Sequence, residues 1–302
     1  MPRTARKSLG GVIYHVLNRG NGRQRLFHKP ADYVAFVALL AQVKQAVPGV
    51  RLLAYCLMPN HWHLVLWPRS DGELSRFMQR LQTAHVRRHH AHYAAHASHA
   101  GAAGHLYQGR FKSFPVQRDD RHLLTVLRYV ESNPLRADPP LARQPAGWNW
   151  CSFAARRAAA AAGAVQPVSG SSAAAPAGPT GSRGSAPRDA MPLLDEWPVD
   201  VPRNWEALLR EPLEDRQREA LRQSLRRGRP FGDERWTAAT AERLGLAHTL
   251  RPRGRPRKRK AGPAERTSDP LGAGAEKRGA KKRGGRKKGT FTFSERPPRM
   301  KM

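Results

Sequence analysis

The sequence predicts an α+β fold: a ferredoxin-like antiparallel sheet with helices on one face, then a small helical module and a basic tail. Three observations predict it. The apolar period changes along the first 150 or so residues in the order strand–helix–strand–strand–helix–strand–helix. The two middle strands are joined by a link short enough for a hairpin. Beyond that point the composition turns to Ala, Gly, Ser and Pro, then to Lys and Arg.

Taken in order, Gly11 to Arg19 (GVIYHVLNR) is rich in β-branched and aromatic residues and reads as a strand. Pro30 opens a helix in which Tyr33, Phe36, Val37, Leu40 and Val43 recur at helical spacing, and Pro48-Gly49 stops it. Val50 to Leu57 and His61 to Trp67 are strand-like runs separated by Met58-Pro59-Asn60. Leu74 to Tyr93 returns to a helical stripe through Leu74, Phe77, Met78 and Leu81. Tyr107 to Val116 reads as a further strand. Asp119 to Asn133 reads as a helix with Leu123, Leu124, Leu127 and Val130 inward, ended by Pro134. The division expected is a domain over 1–156, a disordered linker over 157–192, a helical module over 193–250 and a disordered tail over 251–302. Within the module, Glu214 to Arg227 and Glu234 to Leu244, closed by Gly245, read as helices too few to be stable without the first domain or a ligand.

Charge narrows the function. Fifty-four Lys and Arg oppose 23 Asp and Glu, a formal net charge of +31, and the natural partner of such a surplus is a polyanion. No run of about 18 apolar residues is present to span a bilayer, so nucleic acid is favoured over membrane. Met1 to Gly10 leads into no apolar signal core, and two cysteines, Cys56 and Cys151, make no disulfide framework; a cytoplasmic, nucleoid-associated protein is expected. The tail over 251–302 carries 19 Lys and Arg against four acids. Its Arg253-Gly254-Arg255-Pro256 resembles an AT-hook core, a narrow extended segment suited to an A·T minor groove, though a merely basic tail reads the same way.

Two short runs carry candidate chemistry. In Pro59-Asn60-His61-Trp62-His63, strand alternation puts His61 and His63 on one face, a half-site for a divalent metal, while Trp62 points the opposite way into the core. Two surface histidines would give the same pattern. In Arg128-Tyr129-Val130-Glu131-Ser132-Asn133-Pro134, helical spacing puts Tyr129 and Asn133 on one face. A phenol, with a pKa of about 10, needs activation before it can act as a nucleophile. Asn133 offers an oxygen beside two neutral imidazoles, a mixed donor set suited to Mg²⁺ or Mn²⁺. The plainer reading makes Tyr129 a half-buried helix residue and Asn133 a helix-end cap. Seven of the 13 histidines fall between His85 and His105, read as a loop between helix and strand.

Together YHVLNRG, AYCLMPNHWHLVLWP, GHLYQGRFKSFPV and LRYVESNPLRA resemble the REP-associated tyrosine transposases, relatives of the insertion-sequence transposases in the HUH nuclease superfamily. The resemblance spans roughly residues 3 to 153. It implies a metal-dependent single-stranded DNA endonuclease and strand transferase acting next to hairpins, as monomer or homodimer. It assigns the metal to His61 and His63, with Asn133 as third ligand, and the nucleophile to Tyr129, which takes a 5′-phosphotyrosyl link. Some members carry a second tyrosine where this chain has Phe111; a nucleophile belonging there would make this copy inactive. Arg3, Arg6, Asn18, Arg19, Arg110, Lys112 and Arg136, with Arg253 and Arg255 of the tail, are the expected DNA contacts, mostly to phosphates. The alternative is a domesticated, non-catalytic protein that recognises hairpins or A·T-rich DNA.

Overall fold

The structure is a computed structural model that describes residues 7–93, 104–164 and 193–251; Arg3, Arg6, Arg253, Arg255, the AT-hook-like segment and most of the expected linker and tail lie outside the described residues. Four strands, β1 (Ile13–Arg19), β2 (Val50–Met58), β3 (His61–Pro68) and β4 (Lys112–Val116), form one antiparallel sheet in the order β2-β3-β1-β4. With α1 (Pro30–Ala46) between β1 and β2 and α2 (Glu73–Tyr93) between β3 and β4, this is the ferredoxin-like arrangement.

Strand alternation sorts the sheet into two cores. On one face Tyr14, Val16, Leu52, Trp62, Leu64 and Leu66 meet Phe36, Leu40, Leu74, Phe77 and Leu81 of α1 and α2. On the other, Ile13, Ala54, Val65, Phe114 and Val116 meet Leu123, Val126, Leu127 and Val130 of α3 (Asp120–Ser132). Two of the three helices thus share one face and the third covers the other. The sequence periods could not show this, because strands such as Val50–Met58 bury almost every side chain and so present an apolar surface both ways.

Two further differences have local causes. The last strand is shorter than its apolar run, since Tyr107 makes only a single bridge to Gly20 before β4 begins. Helix α2 runs through Tyr93 as its stripe predicts, so the first part of the histidine-rich stretch is helical, with His85 on the buried side. The helix α4 (Ser152–Ala164) continues into the stretch read as linker, where a run of alanines, the strongest helix former, carries it on.

From Leu193 the chain first packs Leu193 and Leu194 against the α1–α2 core, then sets α5 (Trp205–Arg210) and α6 (Asp215–Arg227) on the α3 face, followed by α7 (Glu234–Leu244). Arg128 donates to the carbonyls of Leu208 (2.6 Å) and Glu211 (3.0 Å), the exposed last turns of α5. Trp205 Nε1 donates to Glu131 (2.8 Å), a fully buried carboxyl that burial pushes above its usual pKa. Phe231 pairs with the edge of β4, donating to Pro115 and accepting from Gln117. Gly228 ends α6 at φ 71°, the left-handed cap that favours glycine. Among the described residues, no helix is long and apolar enough to cross a membrane.

Candidate active site

The β1–β3 register sets Leu17 opposite His63 and Arg19 opposite His61, at the end of the sheet where α3 crosses. Because His61, His63 and Val65 alternate with Trp62 and Leu64, both imidazoles face the α3 side. Trp62 is fully buried on the opposite side, its indole N–H donating to the Tyr107 hydroxyl (3.0 Å). The ring centres of His61 and His63 are 5.0 Å apart, and that of Tyr129 stands edge-on 5.6 Å from His63. A cavity of about 360 Å³ is lined by His61, His63, Tyr129, Arg19, Arg110 and Lys112 together with Asn18 and Arg226.

Both imidazoles have one nitrogen already engaged. His61 Nδ1 lies 2.7 Å from Asn60 Oδ1, an acceptor, so the proton sits on Nδ1 and Nε2 carries the lone pair. His63 Nδ1 lies 2.9 Å from His15 Nε2, which leaves Nε2 as the nitrogen able to serve the cavity. Burial, with Arg19 as a lesser cause, lowers His61 to a pKa of about 4. Burial first, then the neighbouring His61, His15 and Arg19, holds His63 well below the ordinary range. Both rings are therefore neutral at physiological pH, the state a metal requires of imidazole. Among the described residues no three His, Cys, Asp or Glu side chains converge as a complete metal cluster. The imidazole pair, each ring held by an outer partner, is chemically suited to a divalent ion whose other donors are neutral oxygens.

Tyr129 is half-buried, and burial raises its pKa; a hydrogen bond from the Asn133 side chain and the charges of Arg222 and Arg19 work the other way. Asn133 lies beside the phenol rather than in the cavity wall, its amide donating to the Tyr129 carbonyl (3.0 Å). Phe111 packs in the core of the opposite face, with Trp62 and Tyr107.

The remaining expected contacts divide. Arg19, Arg110 and Lys112 do line the cavity. Asn18 lines it too, yet its amide is spent on Gly109 O (3.1 Å) and the Arg19 N–H (2.9 Å), so it shapes the wall instead of reaching out. Arg136 stands as a correction: its guanidinium donates to the carbonyls of Arg210 (2.7 Å) and Leu209 (3.4 Å), tying α5 down and leaving it outside the cavity wall. Two participants went unread in the sequence. His15 is fully buried behind His63, and burial lowers its pKa to about 3; a lone polar residue amid IYHVL was its signal. Arg226 had no signal, because its place depends on how α6 packs.

Residues 8–133 match the family model described as IS200-like transposase. Among solved structures, the chain is similar to that of a REP-associated tyrosine transposase bound to a REP hairpin, at 17% identity and a TM-score of 0.38, covering 57% of this chain and 92% of that one. It is also similar to a structure from Deinococcus radiodurans described as a candidate transposase, at 19% identity and a TM-score of 0.31, covering 43% and 96%. No curated protein matches the chain.

Proposed function

We propose that this chain, whose residues 8–133 match the family model described as IS200-like transposase, is a transposase that cleaves and rejoins single-stranded DNA next to hairpins, with Tyr129 as nucleophile. The observation that carries the reading is the meeting of phenol and imidazoles in one cavity: Tyr129 of α3 faces His63 of β3 with ring centres 5.6 Å apart, under a rim of Arg19, Arg110 and Lys112.

The three rim cations attract and seat a backbone phosphate, and supply affinity independent of base sequence. Tyr129 Oη attacks phosphorus and the bond to the 3′ oxygen breaks. The phenol's proton is passed through solvent to that oxygen, leaving a 5′-phosphotyrosyl link and a free 3′ hydroxyl. One phosphodiester replaces another, so the reverse attack rejoins DNA without an external energy source. His61 and His63 would hold a divalent cation, Mg²⁺ or Mn²⁺, with Asn133 as a third donor. When bound, that ion would supply Lewis-acid neutralisation of charge on the phosphoryl oxygens. Burial raises the pKa of Tyr129, so the phenol is protonated at rest and must lose its proton as it attacks. Arg19 and Arg222 favour the phenolate as the proton leaves.

In this reading each molecule acts with its own tyrosine, because the imidazoles and phenol of one chain already face one another. The test is a covalent adduct on a denaturing gel after incubation of the full chain with a hairpin-bearing single strand and Mn²⁺. Adduct is expected with wild type, lost with Tyr129→Phe and on chelation, and not regained by mixing Tyr129→Phe with His63→Ala protein. Binding without cleavage across metals and hairpins would select the non-catalytic DNA-binding alternative instead.

A further inference from the structure

The cavity that holds Tyr129 is not built by the transposase domain alone: Leu225 and Arg226, in the last turn of α6, complete its wall. Their position is fixed from three sides. Gly228 brings the end of α6 against β4, where an added Cβ would lie 3.5 Å from the Ser113 carbonyl. Phe231 is hydrogen-bonded to the edge of that strand. Arg128, which directly precedes Tyr129, and Arg136 hold the end of α5. Arg222, one turn before Arg226, is close enough for its charge to favour ionisation of Tyr129.

We infer that Arg226 is a phosphate-binding catalytic residue supplied by the C-terminal module, which donates to a non-bridging oxygen of the scissile phosphate as Tyr129 attacks. The inference rests on the nuclease reading above. A guanidinium presents a planar fork of donors matched to two phosphate oxygens, and the charge it meets grows as the transition state forms. In the free protein Arg226 is exposed and bonded to Glu219 (2.6 Å), itself exposed. An exposed pair of that kind contributes little, so exchanging the carboxylate for a phosphate costs little. Cleavage then requires the module to be docked, which makes residues 193–251 part of the enzyme and not an accessory to it.

The experiment measures the rate of adduct formation by the full chain on a hairpin-bearing single strand with Mn²⁺, for wild type, Arg226→Ala and Arg226→Lys, with hairpin affinity and thermal melting in parallel. Arg226→Ala is expected to slow adduct formation on the order of 100-fold, with hairpin affinity and melting nearly unchanged. Arg226→Lys should fall between, and low, non-denaturing guanidinium should restore part of the rate to Arg226→Ala. An Arg226→Ala rate within about twofold of wild type would overturn the inference while leaving the nuclease reading intact. So would a loss that guanidinium does not relieve and that tracks a lowered melting temperature, since the side chain would then be structural. Wild type that forms no adduct under any metal would sink both.

Discussion

The two faces of the sheet each bury a histidine, and they do so to different ends. On the α1–α2 face the Trp62 indole N–H donates to the Tyr107 hydroxyl, which donates in turn to His85 Nδ1 at 2.6 Å. Three polar side chains satisfy one another against an apolar core, and although His85 also borders a cavity of about 270 Å³, its Nδ1 is spent on Tyr107. On the α3 face His15 bonds to His63 at 2.9 Å, but His15 Nδ1 has no hydrogen-bond partner, and His63 opens onto a cavity. That second chain is incomplete within the protein, and an orphaned buried nitrogen has a cost. The contrast teaches that burial of imidazole is not itself a functional mark. The mark is a chain of polar groups that ends in a cavity shared by a second imidazole, a phenol and a rim of cations.

Substitutions can break this contrast from either side. The largest effect is expected at Trp62, whose ring fills the closed face: Trp62→Ala should cost roughly 3–5 kcal/mol of stability, a large part of an ordinary domain's margin. Chemical denaturation would show it, and a loss below about 1 kcal/mol would mean that the closed face is not the main core. On the open face, His15→Ala should weaken Mn²⁺ binding about 10- to 100-fold, the usual consequence of removing an outer partner of a ligating imidazole. Calorimetry on the DNA-free protein reads this without reference to activity. His15→Gln, which keeps an acceptor toward His63, should recover part of the loss, and unchanged affinity in His15→Ala would make the His15–His63 bond a packing detail.

A further effect concerns acid, where the two faces should behave alike. His15 and His85 are lowered from about 6.5 to about 3 and His61 to about 4, burial being the first cause in each. Their folded pKa values lie below the unfolded ones, so the unfolded chain takes up protons first as pH falls. Stability from these groups is whole above about pH 6.5 and is lost on the way down toward pH 3–4. Each contributes a slope of at most about 1.4 kcal/mol per pH unit. Melting temperature should therefore drop between pH 6.5 and 4, with a shallower drop in His85→Gln. A flat profile would show that these rings are better solvated than their burial implies.

How much of this was legible beforehand follows from the range of the interactions. The β2–β3 hairpin, the common face of His61 and His63, and the α3 stripe are local patterns of period 2 or 3.6, and a sequence displays them directly. Pairing is not local. That His63 rests on His15 depends on a strand register between residues 48 apart, and nothing near either residue announces it. Arg136 resembled a phosphate contact because a cation beside a candidate nucleophile is the same letter whether it faces DNA or, as here, the carbonyls at the end of α5. Arg226 lies beyond the family match, so only the packing of α6 on β4 could bring it to the cavity.

The central claim is that the phenol of Tyr129 becomes bonded to DNA. The direct test is to digest the adduct formed by the full chain on a hairpin-bearing single strand and locate the nucleotide by peptide mass spectrometry. A 5′-linked nucleotide on the peptide carrying Tyr129 is the predicted result. Recovery of the nucleotide on any other tyrosine, or of cut DNA with no attached peptide, would contradict it.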